Sequence, residues 1–306
     1  MLGEYCYWIF NMSIIASLMG LIVLVLRRLK CIPHRVSVFL WIVPFVRMCI
    51  PWGINSRYSL MSLISNLTMR TKTVNMYQPA DGITLSLSNT LRAAVSYHPI
   101  RYKVNILNSV FEVAAWIWIL VGSAILILLS VTYISTLLRV RHAKHLKENI
   151  YLSDTVPGPA VYGIFRPRIV LPTDHIGEDL EYVLRHEKTH IRRGDNLWRI
   201  LALLAVTVHW FNPLAWVFLR AYLTDLELAC DEDAVRGYDD SKRREYARAL
   251  LQNTQRKSVF ASAFGGAKIR TRIENVLSYK KMTFVSAAGF TVLVMTIIYT
   301  LITNAG

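Results

Sequence analysis

Cysteine is scarce in this 306-residue chain: Cys6, Cys31, Cys49 and Cys230 are the whole set, and no two stand as C-x-x-C. A zinc ribbon and a dithiol redox motif are thereby excluded. Three of the four lie in or beside apolar runs, where cysteine acts as a small hydrophobe. Acidic residues are few, 20 Asp and Glu against 35 Lys and Arg, for a formal net charge of +15. No internal repeat or low-complexity tract is present, so repeat architectures are excluded. Recognisable nucleic-acid-binding motifs are missing too, and no direct nucleic-acid binding is expected. The N-terminus, Met1-Leu2-Gly3-Glu4, lacks a basic leader and an obvious cleavage site, so the first apolar run is expected to be a retained helix.

What the chain has is apolar sequence, 54% of it, gathered into runs. A helix needs about 20 apolar residues to cross a bilayer. Four spans are predicted: Tyr5–Leu26, Val36–Ile54, one within Val110–Leu138, and Met282–Ile302. The second is the weakest, because it holds Pro44, Arg47 and Pro51, and Arg47 must snorkel, pair or face other helices. Basic clusters follow spans one and three and precede span four: Arg27-Arg28-Leu29-Lys30 with Arg35, then Arg139, Arg141, Lys144 and Lys147, then Lys280-Lys281. The positive-inside rule puts these in the cytoplasm and both termini outside. The basic balance also suits attraction to anionic lipid. The expected organisation is helices one and two in 1–54, an extracellular loop in 55–108, and helix three in 109–138. A cytoplasmic domain fills 139–281, and helix four with a short tail fills 282–306.

One more apolar run, Ile200–Leu223, is long enough to span. Asn212-Pro213 interrupts it, and proline breaks helix hydrogen bonding. Polar groups that pair in the reading below lie on both sides of it, so the chain must return to the side it left. Two helices are predicted, Leu197–Trp210 and Pro213–Leu228, as a buried or re-entrant hairpin.

The chemistry is carried by His186-Glu187-Lys188-Thr189-His190. Residues four apart share a helical face. His186 and His190 can therefore offer two imidazoles to one metal ion, with Glu187 as general base, the metalloprotease arrangement. A helix over Asp179–Arg193 is predicted, with Leu180, Val183 and Leu184 as its apolar stripe and Gly194 past its end. The bland alternative is an amphipathic helix with two surface histidines. Catalytic zinc keeps three protein ligands and one open position. Downstream, Glu227 and Asp231 share a helical face in Asp225–Asp233. Glu227 can ligate while Asp231 holds a ligand histidine by its free N–H. A solvated acidic helix is the alternative, Cys230 reads more readily as packing than as a ligand, and His209 reads as a satisfied buried histidine. Val161–Leu171, including Gly163, Ile164 and Phe165, reads as an edge strand to which a peptide substrate could add, or as a plain structural strand.

Together these segments resemble the BlaR/MecR family of integral-membrane zinc metallopeptidases. The resemblance rests on Gly163-Ile164-Phe165-Arg166-Pro167-Arg168-Ile169-Val170-Leu171-Pro172 and Leu184–Asp195, then His209-Trp210-Phe211-Asn212-Pro213-Leu214 and Glu227–Glu232. It covers essentially the whole chain. It implies one zinc ion on His186, His190 and Glu227, Glu187 as catalytic base, and a domain facing the cytoplasm between spans three and four. The implied fold is mainly α: four transmembrane helices with an inserted gluzincin-like α+β zinc metallopeptidase domain. The implied location is the bacterial plasma membrane, multi-pass. The implied role is signal-dependent cleavage of a cytoplasmic transcriptional repressor, of the chain itself within Ser258–Phe264, or of both. The receptors that name the family carry a penicillin-binding sensor domain after the fourth span. This sequence stops at Gly306 and offers no S-x-x-K box in the segments expected on the extracellular side, so β-lactam sensing is not expected of it. Three rivals stand beside the reading: a protease cutting within the bilayer, an HtpX/Ste24-type housekeeping protease, and a non-enzymatic signalling scaffold. Arg185, Lys188, Arg192 and Arg193 around the motif disfavour the first.

Overall fold

The computed structural model describes residues 2–29, 32–50, 55–56, 75–78, 83–86, 106–173, 179–253, 267–279, 284–302 and 304–305. Most of the predicted 55–108 loop and the Ser258–Phe264 stretch lie outside the described residues. Helices α1 (Leu2–Leu26) and α2 (His34–Cys49) are followed by strands β1 (Asn55–Ser56), β2 (Asn75–Gln78) and β3 (Ile83–Ser86), and by α3 (Ile106–Arg139). Strands β4 (Lys144–Lys147), β5 (Ile150–Ser153), β6 (Ala160–Tyr162) and β7 (Arg168–Pro172) come next. Helices α4 (Leu180–Arg193), α5 (Asp195–Val208), α6 (Pro213–Ala234), α7 (Asp240–Asn253), α8 (Ile269–Leu277) and α9 (Phe284–Ile302) and strand β8 (Asn304–Ala305) complete the order.

Among the described residues, two helices are long and apolar enough to cross a membrane, Tyr5–Leu26 and Val110–His142. Helix α2 has 16 residues, and the apolar stretch Ala288–Thr300 of α9 is also shorter than that. Four spans were expected, and α2 stops short of Ile54 for a physical reason. Its end at Cys49 comes just before Ile50, and Pro51 disfavours helical backbone at the residue preceding it.

The chain divides into two compact units. The first comprises Met1–Val23, Leu40–Val121 and Ala288–Gly306. Its core joins Met12, Ile15 and Met19 of α1 to Val43 of α2, with Ile297 and Ile298 of α9 against them. Arg47 is buried inside this unit, so it faces protein rather than lipid. Strand β1 pairs with β8 in parallel, and β2 with β3 antiparallel.

The second unit comprises Leu24–Phe39 and Gly122–Ala287. Its four-stranded sheet has the order β4-β5-β7-β6; β5 and β7 run parallel and the outer pairs antiparallel. Ile150, Ile169 and Leu171 of the sheet pack on Val183, Leu180, Leu184 and Ile191 of α4, the stripe that the helical period predicts. Val161–Leu171 is not one strand: Gly163 at φ +90° turns the chain, leaving β6 at the sheet edge and β7 inside. Gly163, Ile164 and Phe165 form that turn.

Gly194 ends α4 at φ +66°, and its N–H bonds back to the carbonyls of His190 and Ile191. A left-handed residue there favours glycine. Helix α6 opens with Asn212 accepting from the Leu214 N–H at 2.9 Å and Pro213 in its first turn. It then runs through the whole acidic segment to Ala234, six residues past the predicted end at Leu228. Arg185 caps its end, donating to Ala234 O and, just past the helix, to Arg236 O. Ala234, Val235, Tyr238, Tyr246, Leu250 and Val276 form the core where α6, α7 and α8 meet.

Candidate metal centre

Helix α4 places His186, Glu187 and His190 on its buried side. The two imidazoles meet edge to face with centroids 4.6 Å apart, and their Nε2 atoms are 3.1 Å from each other. Glu227 arrives from α6, with Oε2 3.8 Å from His186 Nε2 and Oε1 3.7 Å from His190 Nε2. A tetrahedral ion with bonds of about 2.0–2.1 Å sets its ligand atoms roughly 3.3–3.4 Å apart. The triangle of two nitrogens and a carboxylate fits such an ion.

Cys230 is the competing donor, since His186, His190 and Cys230 offer donor atoms within 4.8 Å of one another. Its Sγ lies 3.7 Å from the other ring nitrogen of His186, Nδ1. That nitrogen is already engaged with the Tyr246 hydroxyl at 2.9 Å. Burial, and then the charges of Asp231, Glu227 and Asp195, push the Cys230 thiol well above its ordinary pKa. Cys230 and Glu227 thus both stand beside the histidine pair as candidate third donors, with Glu227 on the Nε2 side and Cys230 on the Nδ1 side of His186.

Each imidazole is oriented from behind. His190 Nδ1 lies 2.6 Å from Asp195 Oδ2, and Asp195 is 1% exposed at the first position of α5. His186 Nδ1 lies 2.9 Å from Tyr246 Oη and 3.3 Å from Asp231 Oδ1. Tyr246 donates to Asp231 at 2.8 Å, so its one proton is used and its oxygen accepts from the His186 ring N–H. Both histidines are thereby held with Nδ1 engaged behind and Nε2 turned toward Glu227, where Arg272 Nη2 also stands 3.2 Å from His186 Nε2. The sequence pointed to Asp231, and it is there; Asp195 and Tyr246 it did not single out.

Two arginines face the same carboxylates. Arg272 of α8 grips Asp231 with two bonds of 2.7 Å, and its Nη1 is 3.5 Å from Glu227 Oε2. Arg199 of α5 donates to Glu227 Oε1 at 2.5 Å. Burial would raise the Glu227 pKa, but the charges of His190, Arg199, Arg272 and His186 hold it well below the usual carboxylate range. Asp231, likewise buried, is brought down to about 2 by Arg272 and by its bonds to Arg272 and His186. Both stay ionised at any physiological pH.

Glu187 is 8% exposed. Its charge is felt at Tyr162 of the edge strand β6, whose phenol is raised by burial and then by Glu187. The carbonyls of Val161 and Gly163 accept from Asn196 Nδ2 at 3.1 and 3.2 Å, which ties β6 to the start of α5. Phe165 is 95% exposed in the β6–β7 turn, and His209 is fully buried in the α5–α6 hairpin.

Residues 7–276 match the family described as BlaR1 peptidase M56. The chain is similar to the regulatory protein BlaR1 of Bacillus licheniformis, 28% identical over 146 residues, which are 44% of this chain and 24% of that protein. It is similar to the methicillin resistance mecR1 protein of Staphylococcus aureus (strain Mu50), 25% identical over 152 residues, 46% of this chain and 26% of that protein. It is also 20% identical over 231 residues to the regulatory protein BlaR1 of Staphylococcus aureus, covering 62% of this chain and 38% of that protein. The chain thus spans well under half the length of these curated relatives.

Proposed function

We propose, from the premise that this chain belongs to the BlaR1 peptidase M56 family, that it is a membrane-bound zinc metalloendopeptidase working in a signalling circuit. The observation that carries the reading is the triangle of His186 Nε2, His190 Nε2 and Glu227 Oε, with Glu187 on the same helix. Those three side chains would hold a zinc ion, which would supply a Lewis acid able to polarise a scissile carbonyl and lower the pKa of water. Glu187 would serve as the general base that accepts a proton from the attacking water and passes it to the leaving amine. Asp195 and the Tyr246–Asp231 pair keep the imidazoles in register. Arg272 holds Asp231 and faces Glu227, so the cluster of carboxylates stays ionised and fixed.

The substrate in this reading is a protein cut on the cytoplasmic side, a transcriptional repressor or the chain itself. The names of the relatives, regulatory protein and methicillin resistance protein, support a signalling role over a housekeeping one. Four membrane crossings, with both termini outside, belong to the same proposal. The test is Glu187→Ala. It should abolish cleavage while the purified variant retains one zinc ion, and proteins cut only in cells with intact Glu187 are the substrates. Continued cleavage by that variant sinks the assignment.

A further inference from the structure

Helix α5 is packed inside out for a water-soluble domain. Its buried face is made of Ala202, Ala205 and Val206, while Leu197, Leu201, Leu204 and Val208 are each more than 40% exposed. Those four recur at steps of four, three and four, a single stripe, and exposed Trp198 flanks its start. A helix packing in water turns its large apolar residues inward. Small residues inward and leucine outward is the arrangement of helices that pack on one another in lipid.

Charge and length say how deep this face goes. From Ile200 to Leu219 there is no Asp, Glu, Lys or Arg, and Arg199 and Arg220 flank the gap. At 1.5 Å per residue, Arg199 is about 14 Å from the end of α5 and Arg220 about 11 Å from the start of α6. Half a hydrocarbon core is about 15 Å. The hairpin is one leaflet tall.

A membrane helix in the same unit provides the gauge. A Cβ on Gly122 of α3 would lie 3.7 Å from Trp210 Cδ1, so the indole at the hairpin tip packs over that glycine. Residues 113–138 of α3 carry no charge. Every window of about 20 residues, the length of a crossing, that fits in this run contains Gly122. The tip therefore meets α3 inside the hydrocarbon. At the base, Arg27, one residue past the apolar span of α1, grips Asp225 of α6. Asp225 is 12 residues from Pro213, about 18 Å below the tip. The flanking arginines, about 11–14 Å from the tip, and the Arg27–Asp225 pair, about 18 Å from it, bracket the roughly 15 Å of one leaflet.

Three polar side chains of the tip bond within the protein, as a segment in lipid favours. Thr207 Oγ1 donates to Leu203 O, Trp216 Nε1 donates to Trp210 O, and Asn212 Oδ1 accepts from Leu214 N–H.

We propose that the α5–α6 hairpin is a re-entrant element that enters one leaflet of the bilayer without crossing it, its Leu197–Val208 stripe facing acyl chains. Glu227, 14 residues from Pro213, then stands about 21 Å from the tip, at the level of the lipid headgroups. The inference concerns the seating of the domain and stands whether or not the metal chemistry is as proposed.

The test uses the full chain in vesicles of phosphatidylcholine and phosphatidylglycerol. Cys6, Cys31 and Cys49 are replaced by serine, and a nitroxide is placed singly at Leu197→Cys, Leu201→Cys, Leu204→Cys or Val208→Cys. Leu128→Cys on the exposed side of α3 is the lipid reference, and Arg270→Cys the aqueous one. The stripe should collide with oxygen and exclude a nickel chelate as Leu128→Cys does, with depth increasing from Leu197 to Val208. Nickel access at Leu204 or Val208 equal to that at Arg270 overturns the proposal. So does an immobile label shielded from both reagents, which means that a second copy or another segment covers the face. As a check free of substitutions, wild-type protein is irradiated with a phospholipid carrying a carbene precursor in its acyl chain. Labelling should map to α5 as well as α3; labelling of α3 with none on α5 overturns the proposal too.

Discussion

His190 Nδ1 lies 2.6 Å from Asp195 Oδ2, so the last turn of one helix is fixed by the first residue of the next. Gly194 makes this reach available by bending the chain between them at φ +66°. A carboxylate behind a ligand imidazole sets its tautomer and raises its basicity. Asp195→Ala should weaken zinc binding by about 10–100-fold. Competition against a chelator of known affinity measures this, and an unchanged affinity means that Asp195 does not orient the ligand.

Tyr246 plays the matching part for His186, with one difference. If its hydroxyl is removed, Asp231 Oδ1 still stands 3.3 Å from His186 Nδ1. Tyr246→Phe should therefore lower zinc affinity less than Asp195→Ala does. It also leaves a buried Asp231 oxygen short of one donor, at a cost of about 1–3 kcal/mol. Denaturant unfolding of the two variants side by side, with the zinc competition, separates the stability loss from the affinity loss.

The H-E-x-x-H spacing was enough to predict two imidazoles on one face, because the helical period is local. Glu227 and Asp231 were legible for the same reason, as a pair on one face of a later helix. Tyr246, Arg199 and Arg272 were not. Tyr246 is 60 residues from His186 and Arg272 is 86, and only the packing of α7 and α8 on α6 brings them in. The expected edge strand came apart at Gly163, whose positive φ no hydrophobic pattern reports. The basic residues after α1 were read as lipid anchors. Within the protein, Arg27 and Arg35 also pair with Asp225, Glu232 and Asp233, contacts that no local pattern reports.

That pairing makes Arg27 a strong test of stability. Its guanidinium makes two bonds, 2.8 and 2.7 Å, to Asp225, whose side chain is fully buried. Removing one partner of a buried pair costs about 3–5 kcal/mol, because the other charge is left in a poor environment. Arg27→Ala should lose that much in denaturant midpoint and slope, although His34 Nδ1 also stands 3.3 Å from Asp225 Oδ1. Arg27→Lys keeps the charge but not the fork, and should fall between. A loss below about 1 kcal/mol for Arg27→Ala would mean that the pair behaves like an exposed one.

Glu232 gives a pH signature of opposite sign to an ordinary ion-paired carboxylate. Burial raises its pKa, and the opposing pull of His34 and Arg35 does not restore it. A carboxyl raised on folding binds its proton more tightly in the folded state. Stability from this group therefore grows as pH falls through the raised folded value, and is complete below the unfolded one. At neutral pH the charged form costs stability. Glu232→Gln keeps an oxygen for the His34 N–H, which Glu232 Oε1 now accepts at 3.2 Å, and removes the charge. The variant should be the more stable at pH 7, with the advantage over wild type shrinking towards pH 5. Thermal unfolding of both proteins across that range checks it. An advantage that does not change with pH, or a variant less stable at pH 7, would show that the Arg35 pairing outweighs burial.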